Sequence, residues 1–306
     1  MDILFTALEL GLISSLTVLS LFLSYRMLNV CDLSTDGCFT LGAAVGAVVA
    51  LSGHPYLSIP AAMLAGMLSG FLTAFLQTRM GIESLLAGII VNTGLYSVNI
   101  AVMGNSSQLN MNKAKTVFTL FRDLLKDTFL AAQYKLIVIL LFVALAIVFL
   151  ALFLRTRLGL AIRATGNNPD MVRSSSINPI FTTTVGLCVS NALTGLSGCL
   201  LAQYNKQANI DMGTGMVTIA LASLLIGGIF FDKCRIPVRL IGAVIGAFLF
   251  RLVYTLALRF NMPASMLKLV SSVIVILAIF LPYLKREFPN MVRRMHSGKG
   301  RGTTSC

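Results

Sequence analysis

Long apolar stretches separated by short polar connections dominate this sequence. A helix needs roughly 20 mostly apolar residues to cross a bilayer, and the gaps between charged residues divide the chain into about nine such stretches. The pattern therefore predicts an all-α, polytopic membrane protein with about nine spans, within a range of roughly eight to ten. The predicted spans cover residues 3–23, 30–51, 56–77, 84–103, 136–154, 181–204, 212–231, 238–258 and 263–283.

The second predicted span is irregular. Its first half carries Asp32, Ser34 and Asp36, and only residues 39–51 are fully apolar. Transporters keep irregular backbone at membrane depth where neighbouring protein or a cavity satisfies its polar groups. We therefore expect a broken or half-inserted helix at this position.

Lysine and arginine are concentrated in three connections, which are residues 155–173, 233–239 and 285–301. With nine spans all three lie on one side, and positively charged loops mark the cytoplasmic side of a membrane protein. The pattern predicts a protein of the cytoplasmic membrane with its C-terminus inside and its N-terminus outside. We expect residues 1–284 to form one membrane domain and residues 285–306 to form a basic tail that is disordered near anionic lipid.

The connection of residues 105–135 lies outside in this topology although it is basic. Its apolar residues recur at helical spacing with charged residues between them. This spacing predicts a short amphipathic helix at the outer membrane surface.

Composition agrees with the membrane assignment. The chain is 57% hydrophobic and 11% charged, whereas soluble domains carry about 25% charged residues. A soluble domain and a disordered chain are both excluded. The net charge of +13 would suggest a nucleic-acid partner in a soluble protein, but here it follows the loops, and we expect membrane lipid rather than nucleic acid as its partner.

Two parts of the sequence resemble each other. The Gly66-x-x-x-Gly70 and Gly242-x-x-x-Gly246 spacings each follow a proline, and residues 32–37 weakly resemble residues 211–215. The matches pair spans of opposite direction and so predict an inverted repeat, with its halves at about 3–103 and 181–283. The alternative interpretation is that such glycine spacing only allows helices to pack closely.

Polar residues inside predicted spans are candidates for the path of a transported solute. Asn92, Tyr96 and Asn99 share one helix face, and Asn191 and Thr194 lie inside the sixth span. An alternative role for both groups is hydrogen bonding to a neighbouring helix, which contributes roughly 1 kcal/mol.

The segment of residues 155–178 is polar and cytoplasmic in the predicted topology. Asn168 followed by Pro169 is typical of a helix start, and Asp170 is favourable near the positive end of a helix. These residues predict a short helix over residues 169–176 on the cytoplasmic face. The alternative is a plain basic loop.

This segment also carries a resemblance. The run Gly159-Leu-Ala-Ile-Arg163-Ala-x-Gly166-x-Asn168-Pro169-Asp170 resembles the cytoplasmic signature of ABC importer permeases of the branched-chain amino acid and ribose type. Asp32-Leu-Ser and Leu224–Gly228 resemble two further segments of that family, and residues 85–99 are similar to a subgroup associated with tryptophan or tyrosine uptake. Met171-Val172 and Ser176 depart from the family's usual pattern.

The resemblance implies a type II-like importer fold. It also implies that ATP hydrolysis and solute delivery are carried out by other chains. The signature would form a coupling helix that seats in a separate ATPase subunit, which holds ATP and magnesium. A binding protein would deliver the solute outside, and a second permease copy would complete the path. The implied coupling residues are Arg163, Gly166, Asn168, Pro169, Asp170, Arg173 and Ile177.

The chain itself shows no phosphate-binding loop, no metal-ligand spacing and no acid, base and nucleophile set. We therefore expect a transport subunit that is not an enzyme and has no cofactor or metal of its own. An aromatic amino acid is the favoured solute from the subgroup resemblance, with branched-chain amino acids, nucleosides and sugars as alternatives. The rival class is an ion-coupled secondary transporter, for which Glu9, Asp32 and Asp36 are the candidate carboxylates.

Overall fold

The computed structural model describes residues 2–112, 114–124, 133–231 and 234–259, with a few single positions between 269 and 280. The chain is helical over most of this length, as a lipid environment requires of backbone that has no water to bond. The helices are α1 Asp2–Leu21, α2 Thr35–Leu51, α3 Ser58–Thr78, α4 Ser84–Val102, α5 Val117–Leu124, α6 Tyr134–Phe153, α7 Arg157–Asn167, α8 Pro169–Ser174, α9 Pro179–Asn205, α10 Met216–Phe231 and α11 Ile236–Arg259. A π-helical turn, Phe22–Met27, extends α1, and a 3₁₀ turn, Ile210–Gly213, precedes α10.

Among the described residues, seven helical segments are long and apolar enough to cross a membrane. They run over Phe5–Met27, Ser58–Thr78, Ser84–Val102, Tyr134–Phe153, Pro179–Asn205, Ile210–Ile229 and Ile236–Leu256. Each coincides with a span expected from the sequence, and the polytopic helical class is confirmed. Only single positions of the predicted span at residues 263–283 are described, and the tail at 285–306 lies outside the described residues, so the count of nine stays a prediction.

The second expected span contains the shorter apolar helix α2, which begins only at Thr35. At 1.5 Å per residue it is about 25 Å long, less than the roughly 30 Å hydrocarbon core. The non-helical residues before it follow Asn29, whose backbone is left-handed at φ 57°. Helix α2 is continuous and starts from an irregular segment inside the protein, and whether residues 30–51 cross the membrane completely stays a prediction.

Helices α1 and α9 form the centre of the bundle. In each of them 78% of an 18-residue apolar stretch is buried inside the protein, whereas the corresponding share is 28–33% in α3, α4, α6 and α11. The peripheral helices expose leucine, isoleucine and phenylalanine, as lipid-facing helices do. A central position for α9 places its polar residues where other helices, rather than lipid, must satisfy them.

The segments that connect the helices lie at the two ends of the bundle, and the contacts among them agree with the expected topology. Strand β1, Gln108–Asn110, pairs antiparallel with β2, Gln207–Asn209, so the connections after α4 and α9 share one end. At the other end, α7 packs against the end of α1 through Gly166 and Met27. Which of the two ends faces the cytoplasm stays a prediction.

The amphipathic pattern of residues 105–135 contains α5, Val117–Leu124. Val117 and Phe118 are buried, and the Phe118 ring meets Tyr204 of α9 edge-on at 6.1 Å between centroids. The apolar face of this helix therefore covers the end of α9. Its position at the outer surface stays a prediction.

Candidate functional site

Two consecutive helices build the segment that the sequence marked as a coupling region. The Thr156 hydroxyl caps α7 by accepting from Gly159 N–H at 3.2 Å. Asn168 ends α7, and its side chain caps α8 by accepting from the N–H groups of Asp170 and Met171 at 3.0 and 3.1 Å. The expected capping by Asn168 is confirmed, and Pro169 takes the first helical position, where its missing N–H costs nothing.

Helix α8 is two residues shorter than the pattern predicted. Ser176 adopts a left-handed backbone at φ 60°, and Ile177 N–H turns back to donate to the Val172 carbonyl at 3.2 Å. This reversal closes the helix at Ser174 and leads the chain into α9. Helix α7 was not predicted, and the capping position of Thr156 is the sequence signal that would have found it.

The helix pair is anchored on one side and open on the other. Val172 is buried, and the Thr165 hydroxyl lies 2.8 Å from that of Thr182 on α9. Gly166 packs so closely on the end of α1 that an added Cβ would overlap the Met27 carbonyl oxygen. The segment is therefore a rigid projection from α1 and α9 rather than a plain loop.

The open side of α8 presents an apolar side chain between charges. Met171 is 66% exposed, and the exposed Asp170 and Arg173 side chains lie 3.9 Å apart. An exposed apolar side chain on a short, capped helix suits insertion into a groove of a partner. Sequence reasoning noted Met171 only as a departure from a family pattern and missed this exposure.

The residues expected to couple to an ATPase separate into three positions. Asn168, Pro169, Asp170 and Arg173 lie exposed along α8, and Ile177 follows it, half-exposed. Gly166 is a packing position against α1. Arg163 lies on α7, apart from α8, and lines a cavity together with Arg26 and Arg239.

A second polar cluster is buried where α2, α3 and α9 meet. The Asp32 carboxylate is 1% exposed and accepts from Ser34 N–H at 2.8 Å, from Ser34 Oγ–H at 2.6 Å and from Asn191 Nδ2–H at 2.8 Å. Thr73 of α3 donates to Ser34 Oγ at 3.1 Å. The irregular segment before α2 is thus tied to α3 and α9 by the donors that a buried carboxylate requires.

Asn191 and Thr194 are fully buried in this conformation. Asn191 donates a hydrogen bond to the Asp32 carboxylate, and Thr194 Oγ1 lies 2.7 Å from Ser20 Oγ on α1. These contacts match the interhelical alternative for both residues. Their place on a transport path stays a prediction.

Two of the polar residues on α4, Asn92 and Asn99, lie against α2. Asn99 is 1% exposed and donates to the Gly37 carbonyl at 3.2 Å, while Asn92 is half-buried beside Gly37. Tyr96 is 52% exposed at the edge of this face. The neighbouring Thr93 and Ser97, which the sequence analysis left out, are exposed as well and extend the polar surface in the middle of α4.

The two stretches that resemble each other in sequence are in direct contact. Asp36, from the first, accepts from the N–H groups of Gly215 and Val217 at 2.9 and 2.8 Å, at the start of α10. A carboxylate at that position neutralises the positive end of α10. The inverted repeat itself stays a prediction.

Replacing Asn191 by leucine should destabilise the protein by about 2 kcal/mol, because one donor to a buried carboxylate is lost. Unfolding can be followed with a thiol-reactive dye, since Cys38 and Cys199 are buried. Asn205→Leu, at the exposed end of the same helix, should melt like the parent protein. Equal melting of all three proteins would show that the Asn191–Asp32 hydrogen bond contributes nothing to stability.

Comparison with known proteins shows which sequences this chain resembles. The model of a family described as "Branched-chain amino acid transport system / permease component" matches residues 3–279. A tyrosine transport system permease protein of Clostridioides difficile is 30% identical over 87% of this chain and 86% of its own length. An uncharacterised protein of Rickettsia prowazekii is 31% identical over 94% of this chain and 99% of its own length.

A solved structure has a similar fold. The structure titled "PsaBC from Streptococcus pneumoniae in complex with Fab" superposes with a TM-score of 0.52, covers 93% of this chain and 94% of its own, and is 15% identical. At that identity the likeness concerns the fold alone.

Proposed function

This chain belongs to the family of branched-chain amino acid transport permease components, and on that premise we propose that it is the membrane subunit of an ATP-driven importer. In this proposal a separate ATPase subunit binds ATP and magnesium, and a binding protein delivers the solute from outside. A second permease copy completes the path in the cytoplasmic membrane, and the N-terminus lies outside and the C-terminus inside.

The observation that carries the proposal is the anchored helix pair α7–α8. Closure of an ATPase dimer would push on the exposed face of α8 at Met171 and its flanking charges. Because Gly166 packs on the end of α1 and the Thr165 hydroxyl of α7 contacts that of Thr182 on α9, that push would pass directly to the two central helices. A displacement of α1 and α9 relative to the peripheral helices is the kind of motion that alternates access.

The middle of α4 is the best candidate for the surface that meets the second copy and the solute. Thr93, Tyr96 and Ser97 are exposed there, and polar side chains at membrane depth are disfavoured against lipid. Asn92 and Asn99 lie behind them against α2. A path at this surface would explain polar residues on an otherwise apolar helix.

We favour an amino acid, and an aromatic one first, as the solute. The support is the 30% identical tyrosine transport permease and the subgroup resemblance at residues 85–99. Branched-chain amino acids, nucleosides and sugars are the alternatives.

The three carboxylates that an ion-coupled carrier would need are engaged within the protein. Asp32 accepts from Ser34 and Asn191, Asp36 caps α10, and Glu9 accepts from the Tyr204 hydroxyl at 2.7 Å. Carboxylates committed to internal donors favour structural roles over ion coupling, and so favour the importer over the stand-alone carrier.

Proteoliposomes that hold the permease with its ATPase should take up labelled tyrosine only when ATP and the binding protein are both supplied. ATP provides the driving force, and the binding protein provides the solute in a form that the permease accepts. Branched-chain amino acids, nucleosides and sugars, tested in the same vesicles, would identify a different solute. Uptake by the permease alone on a proton or sodium gradient would overturn the importer assignment.

A further inference from the structure

The chain between α9 and α10 turns back into the bundle instead of lying at its end. The 3₁₀ turn Ile210–Gly213 is held on α2 by the Thr40 hydroxyl. This hydroxyl accepts from Gly213 N–H at 3.1 Å and lies 3.4 Å from the Ile210 carbonyl oxygen. A Cβ added to Gly213 would overlap the Asp36 carbonyl oxygen, so the turn lies directly on the backbone of α2.

The contacts of α2 show how deep in the bundle this turn lies. Gly37 packs against the middle of α4, where a Cβ added to Gly37 would lie 2.6 Å from Asn92 Oδ1. Thr40 is one helical turn further along α2, about 5 Å at the helical rise. Because α4 is long and apolar enough to cross a membrane, the turn bonded to Thr40 lies at membrane depth. Helix α10 agrees, since its 16 residues extend only about 24 Å of the roughly 30 Å hydrocarbon core.

Polar side chains of this deep segment are exposed. Asp211 and Thr214 are exposed, and so is Thr218 in the first turn of α10. In the part of the chain that the structure describes, the Asp211 carboxylate has no cationic partner and no hydrogen-bond donor, and the two threonine hydroxyls have no partner either. A carboxylate at this depth is disfavoured against lipid chains. The exposed surface of this segment therefore faces water or a polar partner rather than lipid.

This surface neighbours the helix that carries the proposed solute path. The turn packs beside α4, and Met212 of the turn and Val102 at the end of α4 pack against the same buried cluster. Tyr96 and Ser97, exposed in the middle of α4, are neutral. Asp211 adds the negative charge that a solute with a positive group requires when it leaves water.

We propose that the turn Ile210–Gly213 and the start of α10 line the solute path, and that the Asp211 carboxylate pairs there with the ammonium group of the transported amino acid. A carboxylate replaces the water that an ammonium group loses on entry, through a charge-assisted hydrogen bond. The hydroxyls of Thr214 and Thr218 supply further hydrogen bonds along the same surface. The ammonium contact rests on the proposed function, because it takes the solute to be an amino acid.

Thiol labelling tests the water-facing surface without reference to any solute. Thr214→Cys should react with a charged, membrane-impermeant methanethiosulfonate in open membrane fragments, which expose both aqueous faces to the reagent. Leu145→Cys is the matched control, because Leu145 is 63% exposed in the middle of the apolar helix α6. It should react at least tenfold more slowly, after subtraction of the labelling of the parent protein. A Thr214→Cys rate as slow as that of Leu145→Cys would overturn the water-facing surface.

Uptake by proteoliposomes with the ATPase and the binding protein tests the role of Asp211. Asp211→Asn should lower the maximal rate of tyrosine uptake about tenfold, the effect of losing one hydrogen bond to a charged group. Asp211→Glu keeps the charge and should retain at least about half of the parent rate. The amount of ATPase that co-purifies should not change in either variant. Glu83→Gln, which removes an exposed carboxylate at the start of α4, should transport like the parent.

The two experiments separate this inference from the proposed function. A parent that transports tyrosine together with an Asp211→Asn variant of equal rate would overturn the ammonium contact. A parent that transports only sugars or nucleosides would overturn the amino acid and its ammonium contact together. The labelling of Thr214→Cys would still decide whether the turn faces water, and thermal melting of each variant confirms folding.

Discussion

A permease with glycine and serine at residues 168–173, and with Val172 retained, should insert and fold but fail to hold its ATPase subunit. Apart from Val172, these residues are exposed, so their loss removes little packing. They supply most of the exposed face of α8, and its removal should weaken ATPase binding by at least roughly 100-fold, the scale of an interface that loses its central contacts. Affinity purification of the tagged permease with its ATPase measures the result.

A single substitution sharpens the same test. Met171→Glu should weaken ATPase binding by roughly 30-fold or more, because it places a charge where an exposed apolar side chain would be buried. Met171→Leu keeps the apolar contact and should bind like the parent. Undiminished co-purification of the glycine–serine permease would remove α8 from the coupling interface and leave the basic end of α7 as its alternative.

The arrangement of spans was predictable because it follows from local composition. Each charged connection interrupts an apolar stretch, and the eight expected spans that fall within the described residues coincide with helices. Boundaries were less certain, since α1 continues through a π-helical turn to Met27, beyond its expected end at residue 23. The start of α8 was also predictable, because Asn168 and Pro169 act through their own backbone neighbours.

The partners of buried polar residues could not be predicted from local pattern. Asp32 and Asn191 are distant in sequence, and only the packing of α2 on α9 brings the carboxylate to its donor. Arg163 looked like part of a coupling signature, yet Arg26 and Arg239 surround it in space. A signature names residues that occur together in a family but does not separate those that face a partner from those that face another helix.

The two glycine spacings show what a sequence pattern can and cannot predict about helix packing. Gly66 and Gly70 pack on the carbonyls of α9, whereas Gly242 and Gly246 pack on α10. The close approach that the packing interpretation predicted is observed in both places. The identity of the neighbouring helix differs, and spacing alone contains no information about it.

Gly198→Ala should prevent the protein from reaching its folded state. Gly198 of α9 faces the backbone of α2, and an added Cβ would overlap the Phe39 carbonyl oxygen and lie 2.9 Å from the Phe39 carbonyl carbon. Backbone atoms cannot rotate away as a side chain can, so α2 would have to move off α9. Overpacking usually costs about 1–3 kcal/mol, and the cost here should exceed that range because this helix pair also holds the Asp32–Asn191 contact.

The matched control for Gly198→Ala is Gly94→Ala, in the middle of α4, where an added Cβ would meet no atom within 4 Å. That substitution should raise stability slightly, since alanine is favoured over glycine in a helix by roughly 1 kcal/mol. Size-exclusion profiles and dye-monitored melting in detergent compare the two. A monodisperse Gly198→Ala protein that melts with the parent would mean that α2 and α9 can separate at no cost, and the rigid central unit through which α8 is proposed to act would not exist.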